Sequence, residues 1–169
     1  MKSFPSHVFC CVFFAVAVSA IDLRKAGVPY RRQTDNFVAF SVGLDSNVNL
    51  AQNATVKYNV IWTNKGNGYD SSTGVFTCPQ AGLYTFIYHG ISETAGTMNL
   101  DVYKNDQYQI GTYAHNANDY ASASNSITLS LQNGDRVYIK GHGTSVLYGR
   151  ADEVYSTFSG FLLVPHGDR

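Results

Sequence analysis

Six side chains within one short stretch carry the chemistry of sugar recognition: Tyr113, His115, Asn116, Asn118, Asp119 and Tyr120. Aromatic rings stack on the apolar faces of a sugar, while a few short polar groups fix its hydroxyls. Each of these residues taken singly is equally at home in a solvated polar loop, but function concentrates on loops held by a rigid scaffold. A second stretch, Gly141 to Tyr155, offers His142, Tyr148, Arg150, Asp152 and Glu153. His142 stands between two glycines, reads as an exposed turn residue, and is the better placed of the histidines for ligand contact. His89 ends a strand pattern and reads as packed or hydrogen-bonded. His89, His115, His142 and His166 show no metal-ligand spacing among them.

The same sequence lacks the common catalytic signatures. It holds no nucleophile elbow, no His-Glu-x-x-His, no paired-cysteine metal site and no phosphate loop. Gly66-Asn67-Gly68 opens like a dinucleotide fingerprint, but Ser71 takes the third glycine's place and no helix pattern follows. That segment reads as a loop. No catalytic residue is expected, and the chain is read as a binding protein rather than an enzyme.

Composition narrows the class of partner. The 169 residues are 44% hydrophobic and 14% charged, with twelve basic and twelve acidic side chains. No basic excess exists to neutralise phosphates, so nucleic acid is not an expected partner. Low charge and 14% aromatic content argue for a folded core rather than disorder. Twelve Tyr and fifteen Gly against two Met favour strands and turns.

The first twenty residues read as a secretory signal peptide cut after Ala20. Lys2 supplies the charge, Val8 to Val18 an apolar run too short to span a bilayer, and Val18-Ser19-Ala20 the small cleavage residues. No second apolar run follows, so the mature chain is expected to be secreted, with no membrane insertion. Lys2 leaves with the signal, so eleven basic side chains then face twelve acidic ones, a formal charge of −1. Cys10 and Cys11 leave too. Cys78 remains alone, which excludes an internal disulfide and makes it either a buried small hydrophobe or an intermolecular partner. Residues 21–36 read as a flexible basic lead-in, in which Arg31-Arg32 is either an exposed pair or a processing site. Asn53-Ala54-Thr55 is an N-glycosylation sequon at Asn53.

Period-2 alternation begins at Val38, Phe40, Val42 and Leu44 and recurs along the chain. Tyr84, Phe86 and Tyr88 share one strand face and Leu83, Thr85 and Ile87 the other, so this strand is expected to lie between two layers. Further strands are expected at Val60 to Trp62, Met98 to Lys104, Tyr108 to Tyr113, Ile127 to Leu131, Arg136 to Lys140 and Thr157 to Val164. Asn116 to Asn125 has a mild helical pattern, but its Asn and Ser favour turns. Many short strands with turn signals between them imply an all-β antiparallel sandwich or jelly roll.

The series Tyr58…Asn64…Tyr69…Phe76…Gly82-Leu83-Tyr84-Thr85-Phe86-Ile87-Tyr88 resembles the signature of the C1q globular domain. Tyr58 departs from the usual Phe by adding a hydroxyl. Ser126 to Val137, around Gly134-Asp135, and Ser156 to Leu163 are similar to two later blocks of the family, in the same order. The family reading covers residues 37–165, with 166–169 as a tail. Gly82 is expected to supply a turn conformation at the entry to the central strand.

The resemblance implies a ten-stranded jelly roll of the C1q and tumour-necrosis-factor type, assembled as a homotrimer. Residues 21–36 contain one glycine, Gly27, so no collagen stalk is expected and the chain reads as a short, head-only member. Several members bind calcium through acidic residues in the loop before the Ser126 block. Here that loop, Tyr113 to Asn125, has Asp119 as its sole carboxylate, so Asp119 is a weak calcium candidate and no other cofactor is expected. By family analogy the chain is expected to act in innate immunity, binding microbial or self glycans or lipopolysaccharide. A matrix or mineral-associated structural protein and a cytokine-like receptor ligand are the alternatives.

Overall fold

The computed structural model of the chain describes residues 37–93 and 96–167. The expected signal peptide and basic lead-in lie outside the described residues. Twelve strands form, and no helix occurs among the described residues. They are β1 (Ala39–Gly43), β2 (Val48–Leu50), β3 (Val60–Lys65), β4 (Tyr69–Asp70), β5 (Val75–Thr77) and β6 (Gly82–Ser92). The remainder are β7 (Thr97–Lys104), β8 (Gln107–His115), β9 (Ala121–Leu131), β10 (Arg136–Gly141), β11 (Ser145–Leu147) and β12 (Thr157–Pro165). The architecture is the expected antiparallel jelly-roll sandwich. Its strand count exceeds ten because segments of two or three residues, β2, β4 and β11, form their own pairings.

One sheet runs β2-β11-β6-β12-β1-β3 with β9 on the other flank of β6, and the second runs β4-β5-β10-β7-β8. Alternation decides what each strand buries. From β6, Tyr84, Phe86 and Tyr88 enter the core, and from β7 Met98, Leu100 and Val102 meet them from the opposite sheet. Phe40, Phe76, Phe86 and Phe158 form its aromatic centre, with Phe40 5.0 Å from Phe76 and 4.9 Å from Phe158 between ring centres. Such offset and edge contacts add to the burial of the rings themselves. Cys78 lies in this core, its thiol donating to the Gln80 carbonyl.

The outer face of β6 differs from expectation. No second layer of the described residues covers it: Leu83 and Ile87 remain 37% and 46% exposed. Gly82 also serves a different purpose, since its φ is not positive. A Cβ there would lie 2.4 Å from Leu162 Cδ1 and 2.6 Å from the Val164 carbonyl, where β12 bulges against β6. Close approach, rather than a turn, is what requires the glycine.

The segment after β8 corrects two further expectations. Strand β8 continues past the expected end at Tyr113 through His115, so His115 belongs to a strand instead of a loop. Ala121 to Asn125 is neither helix nor turn but the first half of β9, paired residue by residue with Ser92 to Tyr88 of β6. Ala121, Ala123, Ile127 and Leu129 alternate with more exposed Ser and Thr along it. The small inward residues weakened the period-2 signal that a long edge strand would otherwise give.

Candidate functional site

The outward face of the five-stranded sheet holds a cleft of about 550 Å³ between β7, β8 and the turn after β10. Its construction follows from strand register. Because Met98, Leu100 and Val102 point inward, Asn99, Asp101 and Tyr103 must point outward. On β8, Tyr113 stands opposite Asn99, Gly111 opposite Asp101 and Tyr108 opposite Tyr103. Opposed residues share a sheet face, so the three pairs build the walls and floor.

The third wall is His142. Its backbone N–H donates to the Asn99 carbonyl at 2.9 Å. Three residues on, the Ser145 hydroxyl donates to that same carbonyl and accepts from the Asn99 N–H, both at 3.0 Å. These bonds fix the turn against β7 and bring His142 Nδ1 to 2.8 Å from Asp101 Oδ2. Gly143, with φ +77°, gives that turn the backbone conformation that side chains disfavour.

Asp101 is only 4% exposed, and its Oδ1 has no hydrogen-bond partner among the described residues. Gly111 makes room for that oxygen, since a Cβ there would sit 2.5 Å from it. Beside the cleft, Lys140 stands opposite Asp101 in the β7–β10 register. Its ammonium is 4.7 Å from the Tyr103 ring centre and 5.3 Å from that of Tyr138. Burial, with Asp106 accepting from its hydroxyl, pushes the Tyr138 pKa up to about 12. Under the floor, burial and the charge of Asp101 push the Tyr88 hydroxyl upward as well. That hydroxyl has no hydrogen-bond partner among the described residues.

Of the residues singled out in the sequence, the cleft unites Tyr113 and His142, which came from different segments. The others lie elsewhere. His115 Nδ1 pairs with the Thr97 hydroxyl at 3.0 Å. Asn116 Oδ1 accepts from the Asn118 N–H, closing the short loop between β8 and β9. Asp119 Oδ1 accepts from the Tyr120 N–H at 2.8 Å. Among the described residues no group of three or more His, Cys, Asp and Glu is arranged to hold a metal ion.

Tyr120 turns to a different cluster, its ring 5.1 Å from Tyr148, which lies 6.0 Å from Tyr155. Arg150, held by Asp152 through two hydrogen bonds, and Glu153 occupy the same segment. His89 Nδ1 donates to the Tyr155 carbonyl at 2.7 Å. Asn53 is exposed, with φ +62° and its N–H on the Gly141 carbonyl.

Sequence reasoning missed Asp101, Tyr103, Tyr108 and Gly111. An acid on the polar side of an alternating strand reads as solvated. The available signal was the pair of facing patterns, Asn99-x-Asp101-x-Tyr103 and a glycine amid the tyrosines of the next strand. Chemically, the cleft offers hydrogen-bond acceptors, an imidazole and phenol rings. Among the described residues the His142 ring hydrogen-bonds to Asp101 and to no Ser, Thr or Cys.

The family model of the C1q domain matches residues 39–163. Over 110 residues the chain is 36% identical to Caprin-2 of Danio rerio, a match that covers 64% of this chain and 12% of that protein. It thus spans only a small part of the curated relative's length. The globular domain of zebrafish complement 1qA superposes with a TM-score of 0.62 at 23% identity, covering 76% of this chain and 99% of that one. Eiger TNF from S. frugiperda gives a TM-score of 0.63 at 14% identity, over 78% of this chain and 96% of that one. Murine APRIL gives 0.55 at 13%, over 75% and 99%. With its signature blocks, its two-sheet topology and a family match across most of its length in agreement, the chain belongs to the C1q domain family.

Proposed function

We propose that this chain is a secreted, homotrimeric recognition protein of innate immunity that binds microbial or self glycans, with the Asp101–His142 cleft as its sugar site. The observation that carries the reading is the cleft's composition. A buried carboxylate, an imidazole and three tyrosines converge on a space of about 550 Å³, within the range of small-molecule sites. Acceptors and a ring nitrogen suit hydroxyl groups, and phenol faces suit the C–H faces of a pyranose.

Trimerisation draws support from the open face of the seven-stranded sheet. Leu83, Thr85 and Ile87, with Ser126, Thr128, Ser159, Phe161 and Ser41 on neighbouring strands, carry no charge. Hydroxyls on this face already pair with each other, Ser41 with Ser159 at 2.9 Å and Thr85 with Thr128 at 3.0 Å. Satisfied hydroxyls are cheap to bury, so the face suits contact with further copies. Three weak sites on one assembly raise avidity without any new contact.

The test is a glycan and microbial-surface binding screen on the assembled protein, with calcium and with chelator. Saturable binding that a free sugar competes, and that Tyr113→Ala weakens, is the expected result. Binding abolished by chelator would show that copies together build a calcium site that one chain lacks. Absence of binding to every glycan and microbe by an intact trimer would overturn the reading in favour of a matrix or receptor partner.

A further inference from the structure

We propose that the cleft selects ligands that carry a primary ammonium group, so that amino sugars with a free amine bind in preference to N-acetylated, neutral or acidic sugars. The inference rests on the cleft being a sugar site and adds its chemical selectivity.

Charge accounting motivates it. Asp101 is a buried carboxylate, and a buried charge is costly unless it is paired and hydrogen-bonded. Among the described residues its one hydrogen-bond partner is His142, on Oδ2. The neighbouring cation, Lys140, lies over the Tyr103 and Tyr138 rings instead. Oδ1 has no donor among the described residues and is not sealed from solvent, and the missing side chain of Gly111 gives it the room in which it lies. An ammonium donates a charge-assisted hydrogen bond there, roughly twice as strong as a neutral one.

The walls make the same selection. Tyr103, Tyr108 and Tyr113 line the cleft, and aromatic rings attract cations through their quadrupoles. The position of Lys140 over Tyr103 exhibits that preference within the same sheet face. Acetylation removes the charge and adds bulk, while a sugar carboxylate brings a second negative charge towards Asp101. His142 already holds Oδ2, so the selection falls to Oδ1.

The test is calorimetric titration of the assembled protein at neutral pH with glucosamine, N-acetylglucosamine, glucose and glucuronate. Glucosamine is expected to bind on the order of tenfold tighter than N-acetylglucosamine, with glucuronate weakest. Asp101→Asn is expected to level the glucosamine and N-acetylglucosamine affinities. Equal affinities in the unmodified protein, or an amine preference that persists in Asp101→Asn, overturn the inference and leave the sugar reading standing. Should that variant not fold, the ranking in the unmodified protein decides. If none of the sugars binds, the sugar reading fails here. The ammonium inference is then decided by ethylamine against ethanol, followed through the Gly111 amide resonance: a saturable shift with the amine alone supports it, and no shift overturns it.

Discussion

Asn64 holds Tyr69 by both backbone groups at once. Its Nδ2 donates to the Tyr69 carbonyl at 2.8 Å, and its Oδ1 accepts from the Tyr69 N–H at 3.1 Å. The Tyr69 hydroxyl in turn donates to the Tyr58 carbonyl and accepts from the Tyr58 N–H, both at 3.1 Å. Three positions of the signature are thereby one device: the amide folds the Asn64 to Tyr69 loop back, and the phenol secures the segment before β3. Only a side chain with an adjacent donor and acceptor can bridge a peptide's N–H and C=O in this way.

Asn64→Ala should therefore lower stability by about 1–3 kcal/mol, as both backbone groups lose their partners. A denaturant midpoint that falls without a change in slope is the expected signature. Asn64→Asp retains the acceptor alone and should fall between the two.

The hydroxyl by which Tyr58 departs from the family pattern has no hydrogen-bond partner among the described residues. It is fully buried, unpaired, and pushed upward in pKa by that burial. Tyr58→Phe should stabilise the chain by about 1 kcal/mol, since it removes a desolvated group and keeps the ring against Phe158. Thermal unfolding of the two proteins side by side checks this. A lower midpoint for the variant would mean that the hydroxyl has a partner after all.

Much of this architecture is legible in the sequence because alternation and turn chemistry are local. Val38, Phe40 and Val42, or Tyr84, Phe86 and Tyr88, declare their buried face by spacing alone. The cleft was not legible, because it depends on which strands become neighbours. Nothing local to Asp101 places Gly111 across from it, and nothing near Tyr113 announces that His142 will approach. The two candidate segments lie apart in the sequence and read as two separate surfaces. Strand pairing exchanged their members, giving Tyr113 to His142 and Tyr120 to Tyr148. The reason for Gly82 was hidden likewise, since the bulge that crowds it lies about eighty residues away in β12.

Asp135 ties the turn between β9 and β10 to acid stability. Its Oδ2 accepts from the Gln132 N–H at 2.8 Å, its Oδ1 from Asn105 at 2.7 Å, and Lys104 lies 3.1 Å away. The Gln132 amide above all, then Asn105 and Lys104, hold its carboxyl below the usual carboxylate range. A depressed carboxylate contributes stability fully above its unfolded value of about 4, and that contribution fades as pH falls through the lowered folded value. Asp135→Asn should cost about 1–2 kcal/mol at pH 7 and progressively less below pH 4. Unfolding curves measured from pH 7 to pH 2 should show the two proteins converging.

Gly111→Ala should separate the cleft from the fold. The added methyl cannot remain 2.5 Å from Asp101 Oδ1, so the carboxylate must move, and the 2.8 Å contact with His142 should break. The core residues on the opposite side of β7 are not touched. The expected outcome is a folded protein, destabilised by about 1–3 kcal/mol, with shifted His142 ring resonances and lost ligand binding. Unchanged His142 resonances would show that the pair does not depend on the open space at Gly111.

Ile87 offers the corresponding test of assembly. It lies mid-strand on β6, flanked by Ser126 of β9 and Ser159 of β12, on a sheet face whose central side chains carry no charge. An aspartate there leaves the single chain soluble, because the site already faces water. Burying that carboxylate against a second copy without a partner would cost far more than the lost isoleucine contact. Ile87→Asp should therefore give a folded monomer by sedimentation, with the far-ultraviolet spectrum of the parent. Multivalent binding to a glycan surface should collapse to the affinity of a single cleft, while binding of a free sugar in solution stays unchanged. A variant that still sediments as a trimer would place the subunit contact on some other face of the sandwich.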